Sequence, residues 1–159
     1  MLAKIRFFAA TLLVVLPTEY SAVATAGFKP AQSYAVGTAP EMAAVADLNN
    51  DDKPDIAVVD FGDPNVGDNG GVSILIGNGN GTFQPATNLT VGKNPTRIAA
   101  GDFNSDGNSD LLVVRAGDET VGDYGDATIF PGNGDGTFGS GQVLAPGKNP
   151  FHCLPYLNP

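Results

Sequence analysis

The sequence predicts an all-β chain: two four-stranded propeller blades with partial repeats on either side, a fragment of a β-propeller. Three observations carry this expectation. Turn formers are dense, with 21 Gly and 12 Pro among 159 residues, which leaves little room for long helices. A gapless 55-residue repeat runs through most of the chain. Residues 28–82 align on 83–137 with 25 identities in 55 positions, the mark of a duplicated structural unit. Within each unit four short apolar runs alternate with turn residues, and four strands per ~40–55 residues is the blade pattern.

The elements follow in order. Residues 1–26 read as a signal peptide. Lys4 and Arg6 precede the apolar run 7–16, Pro17 ends it, and small residues at 24–26 suit a peptidase. That run is too short for a ~20-residue membrane span. The repeats occupy 27–150, as units 28–82 and 83–137 and a partial unit 138–150. In the first blade, strands are expected at Met42–Ala46, Ile56–Val59, Val72–Ile76 and Thr87–Val91. In the second they are expected at Arg97–Ala100, Leu111–Val114, Ala127–Phe130 and Val143–Ala145. Residues 28–36 read as the outer strand of a preceding blade. Ile56-Ala57-Val58-Val59 and Leu111-Leu112-Val113-Val114 are apolar without alternation, so both faces of these strands are built for burial. Gly77–Gly81 and Gly132–Gly136 read as hairpin turns, since the period is 55 rather than nine.

The count of units is the anomaly. Propellers close with ~4–8 blades, because only a ring covers every sheet face. The third unit opens with Phe138 and Pro146–Pro150, but Leu157 stands where the next acidic cluster would begin. The irregular tail 151–159 carries His152 and Cys153, the single His and single Cys of the chain. The expectation is a chain truncated, or frame-shifted near residue 150, relative to a longer repeat protein.

Composition narrows function. Asp and Glu outnumber Lys and Arg 17 to 8, which argues against nucleic acid as a partner, since that needs clustered positive charge. One Cys excludes a disulfide framework and a multi-Cys zinc site. Adjacent His152 and Cys153 lack a third orienting group, so no catalytic residues are assigned and the chain is not expected to be an enzyme. Asp63, Asp68, Asp118 and Asp123 recur in the long loops and read as a solvated face rather than a binding rim.

The chemistry sits in two nine-residue loops, Asp47-Leu48-Asn49-Asn50-Asp51-Asp52-Lys53-Pro54-Asp55 and Asp102-Phe103-Asn104-Ser105-Asp106-Gly107-Asn108-Ser109-Asp110. Oxygen-bearing side chains fall at positions 1, 3, 5 and 9: Asp47, Asn49, Asp51 and Asp55, then Asp102, Asn104, Asp106 and Asp110. Position 7, Lys53 or Asn108, can offer its backbone carbonyl. An all-oxygen set suits Ca²⁺, which takes six to eight oxygens at ~2.3–2.6 Å. Zinc and copper would call for Cys and His. This is not the twelve-residue helix-flanked calcium loop, because position 12 is Val58 or Val113 within a strand. Gly107 takes a left-handed conformation at position 6 freely, whereas Asp52 takes it at a cost, so the second loop is expected to bind more tightly.

The Asp-x-Asn-x-Asp-Gly-x-x-Asp type of loop, between Phe-led and Gly-x-x-Pro elements, resembles FG-GAP/VCBS repeats, which build the β-propeller of integrin α subunits and of many secreted bacterial proteins. The resemblance covers about 28–150. It implies Ca²⁺ at Asp47, Asn49, Asp51 and Asp55, and at Asp102, Asn104, Asp106 and Asp110, with no catalytic machinery. The chain departs from the pattern in having Asp52 in place of Gly, and too few repeats to close a ring. The functional expectation is a secreted, extracellular or cell-surface calcium-binding module for adhesion or binding of a protein or glycan. The alternatives are an accessory propeller fragment of a secreted carbohydrate- or lipid-degrading enzyme, and a lectin-like ring of several copies.

Overall fold

A computed structural model describes residues 32–117 and 122–146. The expected signal peptide and the 151–159 tail lie outside the described residues. So does Asp118.

All eight expected strands form. β1 (Pro40–Ala46), β2 (Asp55–Asp60), β3 (Gly71–Leu75) and β4 (Thr87–Leu89) make one antiparallel sheet in that order. β5 (Pro95–Gly101), β6 (Asp110–Arg115), β7 (Asp126–Phe130) and β8 (Gln142–Pro146) make the second. The duplication extends to register. Ala44 faces Ala57, which faces Ile74; 55 residues later Ala99 faces Leu112, which faces Ile129. Each β3-to-β4 and β7-to-β8 connection opens with a tight turn. It is closed by the Asn78 N–H to Thr82 carbonyl in the first sheet and by Asn133 to Thr137 in the second, at 2.9 and 3.0 Å.

Two strands depart from expectation. β4 ends at Leu89 rather than Val91. The chain there must leave the outer edge of the first sheet to begin the second, and Val91 turns into the core instead. Of the strand expected at 28–36, residues 28–31 lie outside the described residues, and 32–36 form no strand and pair with neither sheet. Tyr34 still anchors the segment: its hydroxyl accepts the Phe83 N–H at 3.2 Å, and the two rings meet edge to face at 5.3 Å.

The core lies between the sheets. Ala57, Val59, Val72 and Ile74 on one face of the first sheet join Ile98, Leu111, Val113 and Phe130 of the second in one buried cluster, with β5 packed across β1 and β2. The repeats diverge at one polar position on the second sheet. The Arg115 guanidinium grips Asp126 through two bonds of 2.6 and 3.1 Å and reaches Asp123 at 3.2 Å. The equivalent of Arg115 in the first repeat is Asp60, buried against the Ser73 hydroxyl at 2.6 Å.

Ile74 fills the centre of the stacked core, so Ile74→Ala should cost about 2–4 kcal/mol in urea unfolding. Val66→Ala, on the exposed turn 64–66, should stay within about 0.5 kcal/mol.

Candidate functional site

The two nine-residue loops connect β1 to β2 and β5 to β6, so both lie at the same end of their sheets. Their first residue shapes each loop. The Asp47 carboxylate accepts the N–H groups of Asn49, Asp51 and Asp52, the last at 2.7 Å. Asp102 accepts those of Ser105, Asp106 and Gly107, the last at 3.0 Å. Position 6 is left-handed in both, with φ of 60° at Asp52 and 87° at Gly107. Asn50 and Ser105 at position 4 are left-handed as well. The backbone course is therefore the same, and the first loop carries one more strained residue at position 6.

Position 9 has a structural duty that spacing did not reveal. Asp55 and Asp110 are fully buried. Each uses one carboxylate oxygen to accept the N–H of position 2, Leu48 at 2.8 Å or Phe103 at 3.0 Å. The other oxygen accepts the N–H of a glycine beyond the neighbouring strand, Gly77 at 2.7 Å or Gly132 at 2.8 Å. The carboxylate thus ties its own loop to the strand that follows. Glycine is required there for space: a Cβ on Gly77 would lie 2.2 Å from the Pro54 carbonyl oxygen, and one on Gly132 would lie 2.1 Å from that of Ser109.

Positions 3, 5 and 7 differ between the copies. In the second loop Asn104 is satisfied locally, accepting the Asp106 N–H and donating to the Asp106 carboxylate, both at 2.8 Å. In the first loop the Asn49 Oδ1 is buried with no hydrogen-bond donor. Lys53 was expected to matter through its backbone, yet its ammonium lies 3.0 Å from the Asp51 carboxylate. Asn108, expected in the same backbone role, uses its side-chain oxygen to accept the Asn50 amide at 2.8 Å, which links the two loops. The first loop is also the more enclosed, since Gly136 donates its N–H to the Leu48 carbonyl at 2.9 Å. The second loop stands largely in solvent.

The acids do not converge. Among the described residues, no three His, Cys, Asp or Glu side chains gather round a common point. The donor set is nevertheless all oxygen in both loops, and the Asn49 Oδ1 is a buried acceptor that lacks a partner. Oxygen donors of this kind are the ones a hard cation takes. Asp63, Asp68 and Asp123 form turns instead: each accepts a backbone N–H two residues on, from Asn65, Gly70 and Gly125.

Hydrogen bonds hold several carboxyls below the ordinary range. For Asp51 the leading cause is the Lys53 ammonium, for Asp106 the Asn108 N–H, and for Asp135 the Thr137 hydroxyl. For Asp68 and Asp123 it is the N–H of Gly70 and of Gly125.

Paired antiparallel sheets stacked face to face, with duplicated acidic loops at one end, define a blade-type β-repeat protein. Residues 47–113 match the family model of the FG-GAP-like repeat, so this stretch, which begins at the first loop and runs through the second into β6, is FG-GAP-like repeat sequence. Such repeats are typically non-catalytic structural or binding units. No match was found among curated proteins or among solved structures.

Two outcomes test the loop chemistry. With chelator present, Asp110→Asn should lose about 2 kcal/mol in urea unfolding, because the amide faces one of the two buried N–H donors with an NH₂ group. The lowered carboxyls are charged more readily in the folded chain than in the unfolded one. Their stabilisation is complete above the ordinary aspartate value near ~4 and is lost as pH falls through the lowered values. Thermal midpoints should therefore hold steady from about pH 7 to 5 and drop below about pH 4.

Proposed function

We propose that the chain is a secreted, non-catalytic binding module whose two nine-residue loops take up Ca²⁺. The observation that carries this reading is the buried, unpartnered Oδ1 of Asn49, inside a loop whose other donors are also oxygens. A buried acceptor without a donor costs about 1–3 kcal/mol, and a bound cation relieves it. The family match and the repetition of the loop in register support the same reading. Asp47, Asn49, Asp51 and Asp55 would hold one ion with the Lys53 carbonyl. Asp102, Asn104, Asp106 and Asp110 would hold the other with the carbonyl of Asn108. The ion supplies charge neutralisation and a rigid bridge between the strands flanking each loop, and it takes part in no reaction. Ligand contact falls to the surface that these braced loops and the sheets present, with a protein or glycan outside the cell as the partner. Export rests on the charge and apolar pattern of residues 1–26.

The Lys53 ammonium reinforces the order of affinity expected from position 6. It partly neutralises Asp51, and a cation entering the first loop must displace it. Asp106 has no such competitor among its hydrogen bonds. The second loop is the tighter site in this reading, for an electrostatic reason added to the conformational one at position 6.

Extracellular calcium modules bind at ~10⁻⁴–10⁻³ M, so 1 mM Ca²⁺ should add about 0.4–1.4 kcal/mol per loop. Thermal melts in 1 mM Ca²⁺ and in chelator should differ by several degrees. Asp106→Ala should remove the larger part of that difference, and Asp51→Ala with Asp106→Ala should abolish it. A wild-type midpoint that ignores calcium would refute the metal reading.

A further inference from the structure

We propose that the two outward sheet faces of this chain bind each other between copies, head to tail, in the packing that joins the two sheets within one copy. The argument starts from the strands that are apolar on both sides. Within the chain, Ala44, Ala57, Val59, Val72 and Ile74 of the first sheet are covered by the second. Their equivalents 55 residues on are Ala99, Leu112, Val114, Ala127 and Ile129, on the outward face of the second sheet. The covering face consists of Ile98, Leu111, Val113, Thr128 and Phe130. Its equivalents are Ala43, Ile56, Val58, Ser73 and Leu75, on the outward face of the first sheet. Ser73, Leu75 and Val114 are buried within the chain, but Ala43 and Val45 on the first sheet are exposed and Leu112, Ala127 and Ile129 on the second are half-buried, so the molecule displays part of one further socket and one further plug of an interface it already contains.

The outward faces keep the apolar character of their buried counterparts. Val45, beside Ala43 on the first sheet, is 65% exposed, and Ile56 and Val58 are half-buried. Leu112 and Ile129 are half-buried on the second sheet. A sheet face meant for water would alternate to polar residues at these positions.

Residues 33–37 show what the first sheet's outward face receives. They stand to that face as residues 88–92 stand to the covering face of the second sheet. Gly37 lies against Asp60 as Gly92 lies against Arg115, and Tyr34, at the position of Leu89, packs on Phe83. Residues 33–36 thus occupy the position of an incoming sheet's outer strand, although in the single chain they form no strand. In the docked pair they take the edge of the incoming β7 and β8 yields it; Val143 and Leu144 of β8 are 55% and 58% exposed. The contact joins unlike faces, so it repeats until a ring closes. At ~4–8 blades per ring, two-sheet chains close as dimers to tetramers.

Light scattering on the full-length protein, in chelator so that the outcome is independent of the metal, tests this. The wild type should run as a closed oligomer. Val45→Lys, on one outward face, and Ile129→Lys, on the other, should each run as a monomer. An equimolar mixture of the two should form a heterodimer and stop there, since each variant keeps the face the other needs, and that dimer also shows that both are folded. Where a lysine unfolds the sheet, as judged by circular dichroism, Ala43→Lys and Ala99→Lys stand in on the same two faces. A wild type that stays monomeric at all concentrations, an oligomer that neither variant changes, or a mixture that remains monomeric would each overturn the proposal.

Discussion

A strand that is apolar on both sides requires a cover on each face of its sheet, and the rest of this molecule is arranged around that requirement. β2 and β6 are such strands, central in their sheets. Stacking one sheet on the other satisfies one face of each. Burial at ~25 cal/mol per Å² is the main favourable term available to a chain this small, so the contact between sheets sets which residues form the core. It also sets the crossing from β4 to β5, because Val91 must turn inward to complete the cluster.

Stacking alone leaves the ends of the sheets open, and buried carboxylates close one of them. Asp55 and Asp110 each bind two backbone N–H groups from different segments. A charged acceptor out of water is stable only when it is fully hydrogen-bonded, and here both oxygens are occupied. The acidic loops are consequently anchored at their last residue whatever else they bind. Their first residue, Asp47 or Asp102, collects the N–H groups of the turn, which leaves positions 3 and 5 as the variable part. There the two copies have diverged, through Lys53 in one and a closed Asn104–Asp106 pair in the other.

Duplication followed by divergence also explains the polar cluster on the second sheet. Arg115 and Asp126 pair there, while the first repeat carries Asp60 and Gly71 at the same two positions. The change removes a cation and a carboxylate together, and Asp60 then takes the Ser73 hydroxyl, itself held by the Gly37 N–H. Register is untouched by the exchange. Side-chain chemistry at the strand ends can therefore vary while the apolar faces stay matched.

The eight strands of the two blades and the loop positions were legible in the sequence, because they depend on local pattern. The 55-residue period, the unbroken apolar runs and the Gly-rich turns each act over a few residues, and each fixes backbone geometry without reference to distant parts of the chain. The left-handed turn at Asp52 and Gly107 could be expected for the same reason. Three features were decided only in three dimensions. The pairing of Asp55 and Asp110 with Gly77 and Gly132 spans 22 residues, and spacing within the loop made those acids look like loop ligands alone. The Asn50–Asn108 link and the enclosure of the first loop come from stacking, which brings residues 58 apart within hydrogen-bond reach. The third is the orientation of the sheets. An apolar strand has two candidate inner faces, and only the packing of β5 across β1 and β2 chooses which is covered and which is left for a partner.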